Sequence, residues 1–446
     1  MKPELGGDRD AAALEELLPL LVDARLGIIE TVREIPIEPG EPAFVHYAAR
    51  ACDASAFAER ANFRNSGGAA VRRERALAKA VGEAVERYCA ALYEREALPL
   101  AAAAEADFAC APPQEFALYT QAQYAEPGFP WAPFDAFTRV RWTPAIDLES
   151  GQQVFVPAAM VWIPYAYVQG SGDAPIVQPI STGLACHLSW ERAALSGLLE
   201  VIERDSFTII WQRMVAPPRI RVETLDDVGY DMVRRFERTG DRVHLFDITL
   251  DSGIPTHLAV LESSSRERPA YVFAAAAHLD AAEASRRALE ELAHTRRYSQ
   301  RIHLDMPPVE ADGVFEHVRE QADHLGFAAN HENRSFFDFL FRSRARLEAD
   351  ELPRLATGDP GRDLDRATER VLATGHRVLV ADLTSEDVAP LGLRVVRVVV
   401  PGYHPLFMGY RWRARGGRRL HEVPQRLGLE AFAPEGADNP APHPYP

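Results

Sequence analysis

The sequence predicts a large layered fold of the α/β or α+β class. Three long helix-like segments alternate with short runs rich in β-branched and aromatic residues, and strands interleaved with helices are typical of layered domains. The chain has 446 residues, of which 47% are hydrophobic and 26% charged, so it can bury a large core. Two or three domains are expected at this length, although one large domain would also fit.

Three helices are predicted from hydrophobic spacing. Residues 75–95 carry one apolar stripe at a period of about 3.6 residues, formed by Leu77, Val81, Ala84, Val85, Tyr88 and Leu92. Residues 191–214 are apolar almost all round, which is typical of a helix inside a core. Residues 281–300 follow a β-rich run directly. A leading segment with Leu at helical spacing, residues 14–26, is expected to pack on the main domain.

The predicted strands lie between and after these helices. They occupy residues 153–165, 242–249, 256–262, 270–277, 377–383 and 393–400, and a Pro-punctuated stretch at 35–47 is also strand-like. A turn at Asp251-Ser252-Gly253 predicts a hairpin between two of these runs. Residues 332–365 are charged and poorly periodic, which predicts an excursion on the surface. The Pro-rich tail after Phe432 is expected to be extended.

Charge and cysteine content exclude several classes of protein. The net charge of −16 opposes binding to nucleic acid or to an anionic membrane, because both need clustered Lys and Arg. The four cysteines are far apart and form no C-x-x-C pair, so neither a zinc site nor a disulfide framework is expected. The first ten residues lack an apolar run, so no secretory signal is predicted and a cytoplasmic location is expected.

One block occurs in two helices, whereas the common nucleotide, zinc and hydrolase motifs are absent. The block has the form E-x-x-E-R. On the first predicted helix it consists of Glu83, Glu86 and Arg87, and on the second of Glu200, Glu203 and Arg204. Glutamates three residues apart on a helix can converge on one cation. Four carboxylates would suit Mg²⁺, which prefers oxygen ligands and bridges to phosphates.

A simpler interpretation is that Glu83 with Arg87, and Glu200 with Arg204, are surface ion pairs of the i,i+4 type. For the first helix alone the two interpretations are equally good. The second helix favours the cation site, because its apolar surroundings would bury Glu200 and Glu203, and buried carboxylates are costly unless paired or metal-bound.

Two further features are weak by themselves. The third helix supplies Glu290, Glu291, His294 and Arg296, which could equally form a charged, solvated face. Gly67 and Gly68 precede the first helix and could let backbone N–H groups approach a phosphate, but paired glycines more often mark a plain turn.

In order, these blocks resemble the YcaO superfamily from about Asn65 to the C-terminus. The family's Gly-rich turn and E-x-x-E-R-Y helix resemble residues 66–68 and 76–88, and its S-x-G-L-A stretch and G-L-x-E-x-I-E-R-D helix resemble residues 181–185 and 197–205. Its A-L-x-E-x-x-Q-x-R helix, its D-L-T strand end and its V-P-G strand resemble residues 288–296, 382–384 and 400–402. The resemblance implies a layered domain with mixed sheets and long packed helices.

The resemblance also implies roles for individual residues. Mg²⁺ and the phosphates of ATP would be held by Glu83, Glu86, Glu200 and Glu203. Other contacts to the nucleotide would come from Ser66, Gly67, Gly68, Arg87, Thr182, Arg204 and Glu291, and Arg296 would act in catalysis.

This chain departs from the family pattern at three places. Ala69 and Ala70 stand where many members carry Lys, so that phosphate contact is missing unless Arg72 or Arg73 supplies it. His294 stands where many members carry Gln, and Thr182 where many carry Asn.

The terminal P-x-P-x-P, formed by Pro442, Pro444 and Pro446, resembles the tail of azoline-forming members. The resemblance therefore implies that the tail threads back into the active cleft and takes part in catalysis, whereas an arbitrary terminus would be disordered and dispensable. The expected division is a packed N-terminal segment at 1–64, the catalytic domain at 65–431 and the tail at 432–446.

The resemblance implies ATP-dependent cyclodehydration of Cys, Ser or Thr in a ribosomally made precursor peptide to thiazoline or oxazoline, through phosphorylation of the backbone amide oxygen. Formation of thioamides or amidines is one alternative. A non-catalytic peptide-binding or assembly subunit with a decayed nucleotide site is another. Since no clamp domain fits before Asn65, a separate E1-like or leader-peptide-binding partner is expected, and a homodimer is left open.

Overall fold

The computed structural model describes residues 13–434 and 437–445. Its strands are β1 (Ile29–Ile35), β2 (Val45–Ala51), β3 (Asn65–Ala70), β4 (Leu100–Ala102), β5 (Arg139–Asp147), β6 (Gln153–Pro157), β7 (Leu184–His187), β8 (Arg219–Ile220), β9 (Arg242–Asp247), β10 (Thr256–Glu262), β11 (Tyr271–Ala277), β12 (Arg346–Leu347), β13 (Leu379–Asp382) and β14 (Arg394–Val399). Its longer helices are α1 (Arg73–Cys89), α2 (Trp190–Gln212), α3 (Asp227–Glu237), α4 (Ala281–Asp305), α5 (Gln321–Ala329), α6 (Pro360–Leu372) and α7 (Arg419–Arg426).

Short helical turns connect these elements. They are Leu18–Leu21, Ala54–Ala56, Arg95–Ala97, Pro113–Glu115, Gln121–Tyr124, Ala158–Met160, Val222–Thr224, His331–Phe341, Ala349–Glu351, Ala389–Leu391 and Tyr410–Trp412. None of the described helices is both long enough and apolar enough to cross a membrane.

The strands form three sheets, which confirms the predicted layered fold of helices and sheets. The first has the order β1-β2-β3 and the second the order β11-β10-β9-β8-β12. The third has the order β4-β5-β13-β14-β7, with β6 paired to β5. Neighbouring strands are antiparallel except for β8 and β12, so the second sheet is mixed. The hairpin predicted around Asp251 joins β9 and β10, in which Asp247 pairs with His257.

Helix α2 connects two of the three sheets. Its first half packs Leu198 and Ile202 with Val396 and Val398 of β14. Its second half packs Phe207 and other aromatic residues on the second sheet. The helix is buried almost throughout, as its composition predicts, and the Ser189 hydroxyl caps its N-terminus by accepting the Arg192 N–H. The second E-x-x-E-R block therefore lies where two layers meet.

Strand β3 lies between α1 and α4, and its two glycines make this possible. A Cβ atom on Gly68 would come within 2.5 Å of the Ala76 carbonyl oxygen of α1, and one on Gly67 within 2.5 Å of Cε1 of His294 of α4. Successive strand residues face opposite sides, so each glycine accommodates one helix. Of the two interpretations offered by the sequence, a plain turn at these glycines is contradicted by the strand, and their contact with a phosphate stays a prediction.

Two other predictions need correction. The segment 332–365 is not only a surface excursion, because Phe337 and Phe339 are buried in the aromatic cluster of the second sheet and β12 pairs with β8. The strand-like stretch at 35–47 is instead mostly the link between β1 and β2. The division into an N-terminal segment, a catalytic domain and a tail stays a prediction, with the boundary at residue 64 falling between paired strands of one sheet.

Candidate active site

Helix α1 presents one glutamate to β3 and another to β7. Oε2 of Glu83 accepts the Gly67 N–H at 3.1 Å, and its Oε1 lies 3.3 Å from Nη2 of Arg87. Oε1 of Glu86 accepts the Cys186 N–H at 2.9 Å. Because the two carboxylates are one turn apart on the helix, both reach the same side of α1.

Helix α2 presents Glu200 and Glu203 in the same way. Arg204 lies 3.7 Å from Glu200 and 3.4 Å from Glu203, measured from guanidinium nitrogen to Oε1. The Tyr445 hydroxyl donates a hydrogen bond to Glu203, and the Arg204 guanidinium lies 4.5 Å from the centre of the Tyr445 ring. The two carboxylate side chains keep 27% and 13% of their surface exposed, so they border an open cleft.

Electrostatics shows that the carboxylates of the two helices lie near one another. The pKa of Glu86 is raised to about 8, mainly by burial and also by the charges of Glu83 and Glu200, while Arg87 and the Cys186 N–H act in the opposite direction. Burial likewise raises the pKa of Glu203 to about 7, with added repulsion from Glu200 and Glu291. A cation would relieve this repulsion and favour the ionised carboxylates.

Among the described residues, no three His, Cys, Asp or Glu side chains converge closely enough to hold one metal ion as they stand. The glutamates are held instead by backbone N–H groups, by arginines and by Tyr445. Their chemistry nevertheless fits Mg²⁺, because they offer only oxygen ligands and because four partly buried carboxylates face only two paired arginines. The residues therefore fit an ATP-bound magnesium ion.

The other predicted nucleotide contacts are dispersed around this cleft. The Ser66 hydroxyl donates to the Ala80 carbonyl of α1 at 2.9 Å. Thr182 lines a small cavity of about 100 Å³ together with Val201 and Arg397. Glu291 lies close enough for its charge to act on Glu203.

The structure does not bring Arg296 into the cleft. Its Nε lies 3.7 Å from Oδ2 of Asp241, and its Nη2 donates to the Gly40 carbonyl at 3.5 Å. Burial is the main cause that lowers its pKa, and Asp241 opposes that effect. These contacts are structural, so the catalytic role of Arg296 stays a prediction without support from the geometry.

The tail does return to the cleft over its described length. Residues 441–445 are buried, including Pro442 and Pro444, whereas Pro446 lies outside the described residues. The imidazole of His443 stacks on that of His324 with 3.9 Å between ring centres. The Tyr445 hydroxyl accepts the Ala275 N–H at 3.2 Å as well as donating to Glu203.

Three functional candidates were missed from the sequence. Tyr445 contacts Glu203, and Arg397 lies close enough to Glu200 for their charges to interact, and both placements come from tertiary structure alone. Arg419 pairs with Asp205, next to Arg204 in the chain, and with Asp251, both at 2.7 Å. Of the three, only Arg397 left a signal in the sequence, as an arginine placed among valines in β14 and next to the V-P-G stretch.

A family model described as YcaO cyclodehydratase, ATP- and Mg²⁺-binding, matches residues 67–404. The chain belongs to the YcaO family. The resemblance inferred from the motifs is thus confirmed, and ATP and Mg²⁺ are the cofactors of that family. An uncharacterised protein of Methanothermobacter thermautotrophicus is 30% identical over 274 residues, which are 60% of this YcaO chain and 66% of that protein.

Solved structures share the fold of this YcaO chain. A heterocyclase in complex with substrate and cofactor matches with a TM-score of 0.80 at 22% identity, covering 97% of this chain and 57% of that one. YcaO from Methanopyrus kandleri, bound with AMPPCP and Mg²⁺, matches with a TM-score of 0.63 at 22% identity. The match covers 89% of this chain and 91% of that one. A chain of the E. coli microcin synthetase McbBCD complex with pro-MccB17 bound matches with a TM-score of 0.57 at 16% identity. The match covers 84% of this chain and 88% of that one. The chain thus spans little more than half of the heterocyclase.

Proposed function

We propose that this YcaO protein is an ATP-dependent cyclodehydratase that converts Cys, Ser or Thr of a ribosomally made precursor peptide into thiazoline or oxazoline. The observation that carries the proposal is the pair of E-x-x-E-R blocks on α1 and α2, whose four half-buried carboxylates border one cleft and exceed the two arginines, Arg87 and Arg204, that pair with them. The described part of the tail reaches the same carboxylates, where Tyr445 contacts Glu203.

The proposed mechanism is one of positioning and electrostatics. A side-chain thiol or hydroxyl of the peptide attacks the preceding backbone carbonyl, and the carbonyl oxygen then has to leave. Bound ATP and Mg²⁺ would supply the phosphoryl group that makes this oxygen a good leaving group. Glu83, Glu86, Glu200 and Glu203 would hold the metal, and Arg204 would stay in place between Glu200, Glu203 and the Tyr445 ring.

Two alternatives remain distinguishable by experiment. A thioamide- or amidine-forming enzyme would use the same cleft, but the terminal P-x-P-x-P favours azoline formation. Loss of water from the peptide marks an azoline, and exchange of oxygen for sulfur marks a thioamide. A non-catalytic assembly subunit is suggested by Ala69 and Ala70 and disfavoured by the intact set of four glutamates.

The proposed partners are the precursor peptide and a separate E1-like or leader-peptide-binding protein. The E. coli neighbour has a comparable length and is part of a multi-subunit complex that holds pro-MccB17. The heterocyclase contains a further part that this chain does not match. A homodimer and a cytoplasmic location stay predictions.

The first test replaces Glu200 or Glu203 with Gln. We expect each change to abolish magnesium-dependent ATP consumption, measured as phosphate release with peptide and partner present, because a buried metal ligand is lost. The fold should be retained, since removing a repelling charge does not weaken the core. Glu237→Gln, at an exposed position on α3, is the control. Wild-type turnover in either cleft variant would contradict the proposal.

A further inference from the structure

His294 of α4 is a half-buried histidine with unused hydrogen-bonding capacity. In the described part of the chain, neither of its ring nitrogens takes part in a hydrogen bond or an ion pair. Two histidines at the tail differ, because His324 and His443 use both of their ring nitrogens in hydrogen bonds. The imidazole of His294 can therefore exchange a proton with a bound molecule.

The ring of His294 lies on the wall of the carboxylate cleft. It packs on Gly67 of β3, where an added Cβ would come within 2.5 Å of Cε1 and 3.4 Å of Nε2. The N–H of the same glycine donates to Glu83 at 3.1 Å. Glu291 lies one turn earlier on α4, and its charge acts on Glu203. His294 thus lies beside a strand that contacts one pair of glutamates and on a helix whose charge reaches the other pair.

A carboxylate on the same face of α4 would stabilise a protonated imidazole. Glu291 and His294 are three residues apart, which makes them neighbours on the helix surface. Glu291 forms no ion pair with any described residue, whereas the adjacent Glu290 pairs with Arg75 at 2.9 Å and with Lys79 at 3.0 Å. The free carboxylate of Glu291 favours the imidazolium that forms when His294 takes up a proton.

The other titratable groups around His294 are neutral or paired. His46 of β2 lies within range of its charge, and the pKa of His46 is lowered to about 4, mainly by burial, so that ring is neutral near pH 7. The two arginines that follow on α4, Arg296 and Arg297, each have a carboxylate partner. These neighbours leave His294 able to change its own charge.

The face of α4 that carries His294 is open to solvent. Tyr298 lies one turn farther along the helix on the same face, and 44% of its surface is exposed. An exposed aromatic ring offers apolar contact area to an extended peptide. A peptide can therefore reach the ring of His294 from outside, along the helix.

We infer that His294 is the catalytic base that accepts the proton of the attacking Cys, Ser or Thr side chain. The inference rests on the proposed function, because it takes the cleft to be the place where the peptide is cyclised. A neutral hydroxyl or thiol is a weak nucleophile, and a positioned base that removes its proton during the attack contributes about 100-fold to 10,000-fold in rate. Gln, which stands at this position in many members of the family, has no basic nitrogen and could not act in this way.

The bond changes of the inferred step are balanced. The S–H or O–H bond of the side chain breaks, its proton passes to a ring nitrogen of His294, and its electron pair forms the new bond to the preceding carbonyl carbon. The π electrons of the carbonyl move to its oxygen, which leaves as phosphate in the later step of the proposed mechanism. The amide nitrogen then loses its proton to water and forms the C=N bond, and the imidazolium also returns its proton to water.

The test compares His294→Gln with wild type on a precursor peptide reduced to one cyclisable residue, either Cys or Ser at the same position, with partner, ATP and Mg²⁺ present. Because a hydroxyl is much less acidic than a thiol, we expect kcat at pH 7 to fall about 100-fold or more for the Ser peptide and about tenfold for the Cys peptide. At pH 9 the Cys peptide should regain most of its rate, since a thiol with an ordinary pKa of about 8.5 ionises without help.

His303→Gln is the matched control. It makes the same change on the same helix, where the ring of His303 contacts the Arg266 carbonyl at 3.0 Å. The control should keep the wild-type rates for both peptides at both pH values. AMPPCP affinity, measured by calorimetry with Mg²⁺, should stay nearly unchanged in both variants, because the four glutamates are kept.

Other outcomes separate the possible failures. Equal losses for the Ser and Cys peptides, or no recovery of the Cys peptide at pH 9, would overturn the inference and make His294 a structural residue. Loss of AMPPCP binding in His294→Gln would overturn it as well, since His294 would then be a nucleotide contact.

If His294→Gln fails to fold, the wild type decides. Its rate for the Ser peptide should fall as the pH drops through the range in which an imidazole is protonated, while AMPPCP binding stays constant. A flat rate down to pH 5 refutes the inference. A wild type that consumes no ATP and cyclises neither peptide would overturn the proposed function instead.

Discussion

The stacked imidazoles of His324 and His443 show how single residues hold the described part of the tail in place. Nδ1 of His324 donates to the His443 carbonyl at 2.9 Å, and its Nε2 accepts the Gly409 N–H at 3.1 Å. Nε2 of His443 donates to the Phe407 carbonyl at 2.6 Å, and its Nδ1 accepts the Tyr445 N–H at 3.2 Å. Each neutral ring thus has one donor and one acceptor in use, and an added proton would face an N–H group.

This arrangement predicts a loss of stability in acid. Burial lowers the pKa of His324 from 6.5 to about 4 and that of His443 well below 6.5. The unfolded chain therefore binds protons that the folded chain does not, and stability falls as the pH drops below about 6.5. Below that pH, one such histidine lowers the free energy of unfolding by about 1.4 kcal/mol for each pH unit, which amounts to about 2 kcal/mol at pH 5. In denaturant unfolding, His324→Gln should lose about 2 kcal/mol less than wild type between pH 7.5 and 5.

An equal decrease in the two proteins would show that His324 is not neutral in the fold. The comparison with the variant is needed because other buried histidines, such as His46 and His278, also have lowered pKa values and contribute to the acid sensitivity of both proteins.

At the scale of elements, long helices were predictable and the glycine strand was not. The predicted helices at 191–214 and 281–300 correspond to α2 and α4, because apolar periodicity over many residues outweighs local noise. Strand β3 reads Asn-Ser-Gly-Gly-Ala-Ala and carries no β-branched residue. Its conformation is set by the helices on both sides, and such tertiary contacts leave no periodic trace in sequence.

The packing of β3 gives a paired prediction. Gly68→Ala should destabilise the protein, because its Cβ would meet the Ala76 carbonyl oxygen and Cβ of Lys79 at 2.5 Å and backbone cannot yield cheaply. A loss of about 1–3 kcal/mol is typical of overpacking. Gly82→Ala on α1 is the control, since nothing lies within 4 Å of its added methyl group. It should stabilise the helix by about 0.5–1 kcal/mol. Denaturant midpoints of both variants test this, and equal behaviour would contradict the close helix contact.

At the scale of the whole molecule, the candidate site divides into a part that the sequence contains and a part that only the fold creates. The four glutamates were identified because their block recurs and because one copy lies on an apolar helix. Arg397 and Tyr445 were not, since each belongs to a segment whose contact with α2 depends on how sheet, helix and tail are arranged. Arg296 shows the converse, as a motif position whose contacts lie away from the cleft.

The described tail also connects distant parts of the molecule. The Ala441 carbonyl accepts the indole N–H of Trp211 at 3.3 Å, and the Asn439 side-chain amide donates a hydrogen bond to the Trp211 carbonyl of α2. His443 packs on His324 of α5, and the Tyr445 hydroxyl forms hydrogen bonds with β11 and with Glu203. The tail therefore contributes to the core and to the cleft at once, so stability and activity have to be measured separately.

Deleting residues 442–446 should therefore sharply reduce azoline formation while ATP affinity changes much less. The deletion removes the Tyr445 hydroxyl that orients Glu203 and the ring that supports Arg204, whereas the four carboxylates remain. A lower melting temperature is also expected, because Tyr445 and His443 are almost wholly buried.

Tyr445→Phe is the matched control: it keeps the buried ring and loses only the hydroxyl, so it should retain most of the stability and lose part of the activity. The measurements are peptide mass with partner present and nucleotide affinity by calorimetry. Full cyclisation by the truncated chain would contradict a role for the tail and weaken the azoline assignment, whereas loss of nucleotide binding together with activity would show that the tail acts mainly by stabilising the fold.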